Sequence, residues 1–188
     1  MKLPGYRYDE IINECVNVFV KHDIRNIPID CFEIANKMGI RLKPYSTLSE
    51  ERLNKAMSIS VDGFVIIKPE GVQPFITLQR YIFYNDDMPP KRVKFTIMHE
   101  LGHIVLNHSE GSDLAEAEAN LFAKYSLAPP PLVHKTSPDD YLDIAATFEI
   151  SEEYASYAMS YYKKWLWCGK QDYTNIEMKL LKQFQKAI

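Results

Sequence analysis

A chain of 188 residues, 46% hydrophobic and 25% charged with only 7 glycines, has the composition of a globular protein with a substantial core, which excludes a disordered or low-complexity class. Its formal charge of -3 offers no overall attraction to DNA, RNA or anionic membranes, so direct nucleic-acid binding is not expected. Cys15, Cys31 and Cys168 are odd in number and widely spaced, which argues against a disulfide framework and a cysteine metal site and for free thiols in a reducing compartment.

No hydrophobic signal core opens the sequence, and no run of about 18 apolar residues occurs to span a membrane. The expectation is a cytoplasmic protein without a membrane partner.

In chain order, residues 8–22 place Ile11, Ile12, Cys15, Val16, Phe19 and Val20 at helical spacing. A short second helix follows, with Asp30 and Glu33 at capping-box spacing and Gly39 suited to its C-terminus. "IRLKPY" alternates as a strand does, and "SEERLNKAM" predicts a helical turn or two. "GFVIIKP", "PFITL" and "RYIFYND" are rich in β-branched and aromatic residues and broken by Pro69, Gly71 and Pro74, which predicts a small, twisted sheet.

The period then turns helical over residues 91–108, with Pro90 allowed in the first turn. Ser112 or Asp113 caps another helix running to about Leu127, where "APPP" stops it. Ser137-Pro138 and Ser151 signal two more helices, and a last one runs through "NIEMKLLKQFQKAI". Helices, a small sheet, then helices is an α+β arrangement. We read residues 1–188 as one domain, with a core over about 1–130 and a helical C-terminal subregion over about 131–188.

The chemistry concentrates in "FTIMHELGHIVLNHSE". His99 and His103 are four residues apart, so on a helix they share a face and their imidazoles can meet one ion. Glu100 is rotated by about 100°, outside the coordination shell but close to water that the metal would activate. This is the H-E-x-x-H arrangement of zinc hydrolases, two ligands and a base. Gly102 would allow another element to approach closely.

A catalytic zinc takes a third protein ligand and keeps one position open. The metzincin extension would need glycine and histidine where Leu106 and Ser109 stand, so that class is excluded. The next helix offers Glu116 and Glu118, which point about 200° apart, so only one faces the metal. Glu116 is the choice, because Asn120 lies on its face at i+4 and can orient a ligating histidine. A capping-box role with Asp113 competes for Glu116, and Glu118 is the alternative ligand. His108 falls about 140° off the line of His103 on a continuous helix and reads as a bystander, at the surface or beside a ligand. His22 and His134 read as surface residues.

"RVKFTIMHELGHIVLNH" followed by "EAEANLFAKYSLAPPPLV" resembles the ImmA/IrrE family of zinc-dependent metallopeptidases over most of the chain. The resemblance implies a zincin-like core, with Zn2+ held by His99, His103 and the Glu116 of E-x-x-A-N, and Glu100 as catalytic acid/base. It also implies a substrate class: a helix-turn-helix repressor of a mobile element, prophage or stress regulon. "SLAPP" replaces the more aliphatic stretch of many relatives, which bears on the cleft wall and not on the metal site.

The expected reaction is zinc-dependent peptide-bond hydrolysis, with Glu100 moving the proton. Tyr125, Tyr84 and His108 are the conceivable oxyanion donors. A competing function is a zinc-binding regulatory module that holds a repressor without cutting it. A DNA-binding reading rests on the helix-turn-helix rhythm of residues 141–165, but the would-be recognition helix opens with Glu152 and Glu153, which repel phosphate. The aromatic run Tyr154, Tyr157, Tyr161, Tyr162, Trp165 and Trp167 reads first as core and second as docking surface.

Overall fold

The computed structural model describes residues 3–72, 76–109, 111–168 and 173–187. Helix α1 (Gly5–Lys21) buries Ile11, Cys15, Val16 and Phe19 of the stripe read from the sequence and Val18 besides, while Ile12 is half-buried and Val20 exposed. Helix α2 (Cys31–Lys37) starts at Asp30, whose side chain accepts from the Phe32 N–H, and ends before Gly39 at φ 71°. The capping box is only half made, because Glu33 turns to Lys37 at 2.6 Å. Strand β1 (Arg41–Pro44), a 3-10 turn (Tyr45–Thr47) and α3 (Glu50–Ile59) lead to the antiparallel pair β2 (Gly63–Glu70) and β3 (Thr77–Tyr84).

The sheet order is β1-β3-β2, with β1 parallel to β3. Two features depart from the sequence reading. The segments "PFITL" and "RYIFYND" are not separate strands; their described part runs through Arg80 as β3, while Pro74 and Phe75 lie outside the described residues. Pro69 does not break β2 but pairs within it opposite Leu78, which an edge strand tolerates because a missing N–H there costs no ladder bond.

Helix α4 (Pro90–Val105) lies between the sheet and α5 (Asp113–Leu127), burying Val93, Ile97, Met98, Leu101 and Ile104. It is shorter than expected. The chain leaves it through Asn107 at φ 55°, with Asn107 N–H donating to the Ile104 carbonyl and His108 N–H to the His103 carbonyl. This paired closure is the Schellman pattern, and asparagine is one of the few residues that accepts its left-handed position.

The proline run stops α5 and at once starts α6 (Pro130–Thr136), since proline suits a first helical turn. Helix α7 (Tyr141–Phe148) begins at Asp140, in a capping box with Asp143, rather than at Ser137. Helix α8 (Glu152–Trp167) is capped by Ser151, and α9 (Asn175–Gln183) packs back on α1, where Phe184 meets Phe19 edge-on at 5.4 Å. The last predicted helical residue, Ile188, is outside the described residues. The observed class is α+β, a zincin-like fold of helices around a small three-stranded sheet.

Candidate metal centre

Helix α4 stacks His99 and His103 one turn apart, with their Nε2 atoms 3.0 Å from each other. Phe95, one turn earlier, stacks on His99 with ring centroids 6.5 Å apart. From α5, the two carboxylate oxygens of Glu116 reach the His99 Nε2 at 3.3 Å and the His103 Nε2 at 3.4 Å. Metal bonds of about 2.0–2.1 Å in a tetrahedral site put neighbouring ligand atoms roughly 3.3 Å apart. The two nitrogens and the two oxygens of one carboxylate therefore stand near the separations one small divalent ion requires.

The two imidazoles are largely buried, and that burial is visible in their acidity. Burial pushes the His103 imidazole down to about 4, reinforced by His99, and burial likewise lowers His99. Both are thus unprotonated and ready to coordinate near neutral pH.

The third-ligand ambiguity resolves by placement. Ser112 caps α5, accepting from the Ala115 N–H, so Glu116 falls one position beyond the capping-box site and faces the histidines. Glu118 is buried on another side of the helix, where Arg7 grips it with a two-pronged contact at 2.7 and 2.6 Å. Asn120 lines the same cleft as His99 and Glu116.

Of the two placements read for His108, at the surface or beside a ligand, the structure has the second. Its side chain is only 10% exposed; its Nδ1 lies 2.9 Å from the His103 Nδ1 and its Nε2 3.0 Å from Glu118. The continuous helix assumed in the sequence would have kept it apart. The Schellman closure instead folds position 108 back against position 103, since that motif brings these two residues into contact. The available signal was Asn107. His134 is likewise not a plain surface residue: it is half-buried, bonded to the Tyr162 hydroxyl at 2.8 Å and packed on Trp165. His22, half-buried, reaches the Lys37 carbonyl with its Nδ1 at 3.2 Å.

Glu100 lies on the same helix, 8% exposed, at the wall of a cleft of about 920 Å³ that also holds His99, His103 and Glu116. Burial, with the nearby Glu116 charge, pushes its carboxyl up to about 7. A carboxyl poised there can both take and return a proton at neutral pH. Of the three conceivable oxyanion donors only His108 lines this cleft; Tyr125 lines a different cavity, and Tyr84 packs against Phe32.

The approach of α5 to α4 depends on Gly102. A Cβ added there would meet the Ala119 Cα and Phe122 Cβ at 3.1 Å and the Ala119 carbonyl at 3.2 Å. Most of that is backbone, so Gly102→Ala must push α5 outward, carrying Glu116 with it. We expect a stability loss of about 1–3 kcal/mol and weaker metal uptake, read by denaturant unfolding and chelator competition on the same protein.

The sequence matches the peptidase M78 family model, described as the IrrE N-terminal-like domain, over residues 55–160. That segment is more than half of the chain and contains the whole His99–Glu100–His103–Glu116 constellation. The chain belongs to the peptidase M78 family. Membership points to a metallopeptidase, and the His-His-Glu group is the part of this M78 chain positioned for a metal. None of the curated proteins compared with it matches its sequence. Among the described residues no helix is long and apolar enough to cross a membrane.

Proposed function

We propose that the protein is a zinc-dependent endopeptidase of the cytoplasm whose substrate is a helix-turn-helix repressor. The observation that carries the hydrolytic reading is the buried Glu100 carboxyl beside His99, His103 and Glu116 in one open cleft. A divalent metal bound by those three residues would supply Lewis acidity, activating water and polarising a carbonyl.

The chain's own groups do the rest. Glu100 takes a proton from the attacking water and delivers it to the leaving amine, a double use that fits a carboxyl titrating at about 7. Asn120, in the cleft beside Glu116, serves to orient a ligating histidine. Strand β2 borders the cleft through Gly63, Phe64, Val65 and Ile67, and among the described residues it has a sheet neighbour on one side only, β3. Its free edge suits an extended polypeptide, which can add as a further strand and lie along α4. The repressor rests on the resemblance to ImmA/IrrE proteins.

The test is to incubate zinc-loaded protein with the regulator encoded by a neighbouring helix-turn-helix gene and to analyse the mixture by mass spectrometry. Two covalent fragments, absent with chelator, are expected. Tight binding with no fragments would instead favour the non-hydrolytic regulatory module.

A further inference from the structure

We infer that Arg7, Glu118 and His108 form a brace of ordered protons that fixes His103 as a ligand through its Nε2. The inference rests on the reading that His99, His103 and Glu116 hold a metal, and it is independent of peptide hydrolysis.

The protons in this chain can be placed one after another. Arg7 donates from Nε and Nη2 to the two oxygens of Glu118 at 2.7 and 2.6 Å, and a guanidinium has no acceptor. Paired with that guanidinium through both oxygens, the Glu118 carboxylate can only accept. The contact at 3.0 Å therefore needs the proton on His108 Nε2. An imidazole whose one proton is on Nε2 presents a bare Nδ1, and the 2.9 Å contact with His103 then needs the proton on the His103 Nδ1. The His103 Nε2 is then the bare nitrogen of its ring, and it is the atom that faces His99 and Glu116. In a neutral imidazole the hydrogen bond at one nitrogen decides which nitrogen keeps its lone pair.

The brace is buried and crosses the fold. Glu118 is 4% exposed, and Arg7 comes from α1, outside the 55–160 segment that matches the family model. An ion pair serving only to pin α1 to α5 would have no need of His108, and it would be indifferent to which nitrogen of His103 is bare.

Two conservative variants separate these roles. In His108→Asn the side-chain oxygen takes the place of Nδ1, so the acceptor for His103 is kept and the link to Glu118 is lost. In His108→Gln the amide reaches towards Glu118, and the acceptor for His103 is lost. Zinc affinity of the metal-free full chain is measured by competition with a chromophoric chelator. The same samples give the Co2+ absorption spectrum and the nitrogen-15 tautomer pattern of His103.

We expect His108→Gln to weaken zinc by about 10–100-fold, with a changed Co2+ spectrum and a shift of His103 towards the Nε2–H tautomer, and His108→Asn to stay within several-fold of the parent. Equal zinc affinity in His108→Gln and the parent, or equal losses in both variants, would overturn the brace. A parent chain that takes up no zinc overturns the metal centre and the brace together. Zinc uptake that follows the expected pattern in a protein that cleaves nothing keeps the brace and sinks only the peptidase.

Discussion

Glu100→Gln is expected to lower peptide cleavage by about 10²–10⁴-fold while zinc content, measured on the same preparation, stays at the parental level. Glutamine keeps the shape and the hydrogen-bonding reach of the side chain but can neither take nor return the proton. The same variant has a second signature in the metal-free protein. Glu100 titrates at about 7 in the fold against about 4.5 when unfolded, so its contribution is fully present below 4.5 and is lost as pH rises through 7. His99 and His103 act in the opposite sense: their folded values are lowered, so their contribution is present above about 6.5 and is lost on acidification. In the parent the two slopes oppose each other between about pH 4.5 and 6.5. Removing the carboxyl uncovers the histidines, and the stability of Glu100→Gln relative to the parent should rise by on the order of 1 kcal/mol per pH unit across about pH 4.5–7. Parallel stability curves, from denaturant titrations in the presence of chelator, would contradict the burial of an ionisable Glu100.

Glu116→Ala should cost more zinc affinity than any change to the groups around the ligands, that is, more than about 100-fold. It removes one corner of the triangle formed with the His99 and His103 Nε2 atoms at 3.3 and 3.4 Å. The thermal consequence follows from linkage. A metal present at about 1,000 times its dissociation constant stabilises the fold by about 4 kcal/mol, and a site about 100-fold weaker keeps only about 1.4 kcal/mol of that, so chelator should lower the parent's melting temperature markedly and that of Glu116→Ala by about a third as much or less. Glu118→Gln retains all three ligands and should keep a chelator-sensitive melting temperature. The reverse pattern would make Glu118 the ligand.

The histidine pair and its intervening glutamate were legible because a helix converts a spacing of four into a shared face, and the flanking apolar residues named the helix. Glu116 was legible for a related reason: Asn120 marks its face. Residues around His108 were not, because a periodicity argument extends a helix until something stops it, and Asn107 is a weaker stop than glycine or proline. The strand boundary failed similarly. The runs "PFITL" and "RYIFYND" leave Gln79 between them, yet pairing with β2 carries β3 through it, with Gln79 opposite Lys68. Arg7 had no local signal at all, since its partner is 111 residues away and only the docking of α1 on α5 brings them together.

The free edge of β2 that suits a polypeptide substrate also suits another copy of itself. Ile66 and Ile67 on that strand, with Val72 and Leu78 beside it, are exposed, a combination that invites edge-to-edge aggregation. Lys68 and Pro69 interrupt the row where it is most apolar, one with a charge and the other with a missing N–H, as gatekeepers do on unavoidable open strands. Keeping the cleft available to a guest chain thus obliges the protein to defend the same strand against self-association.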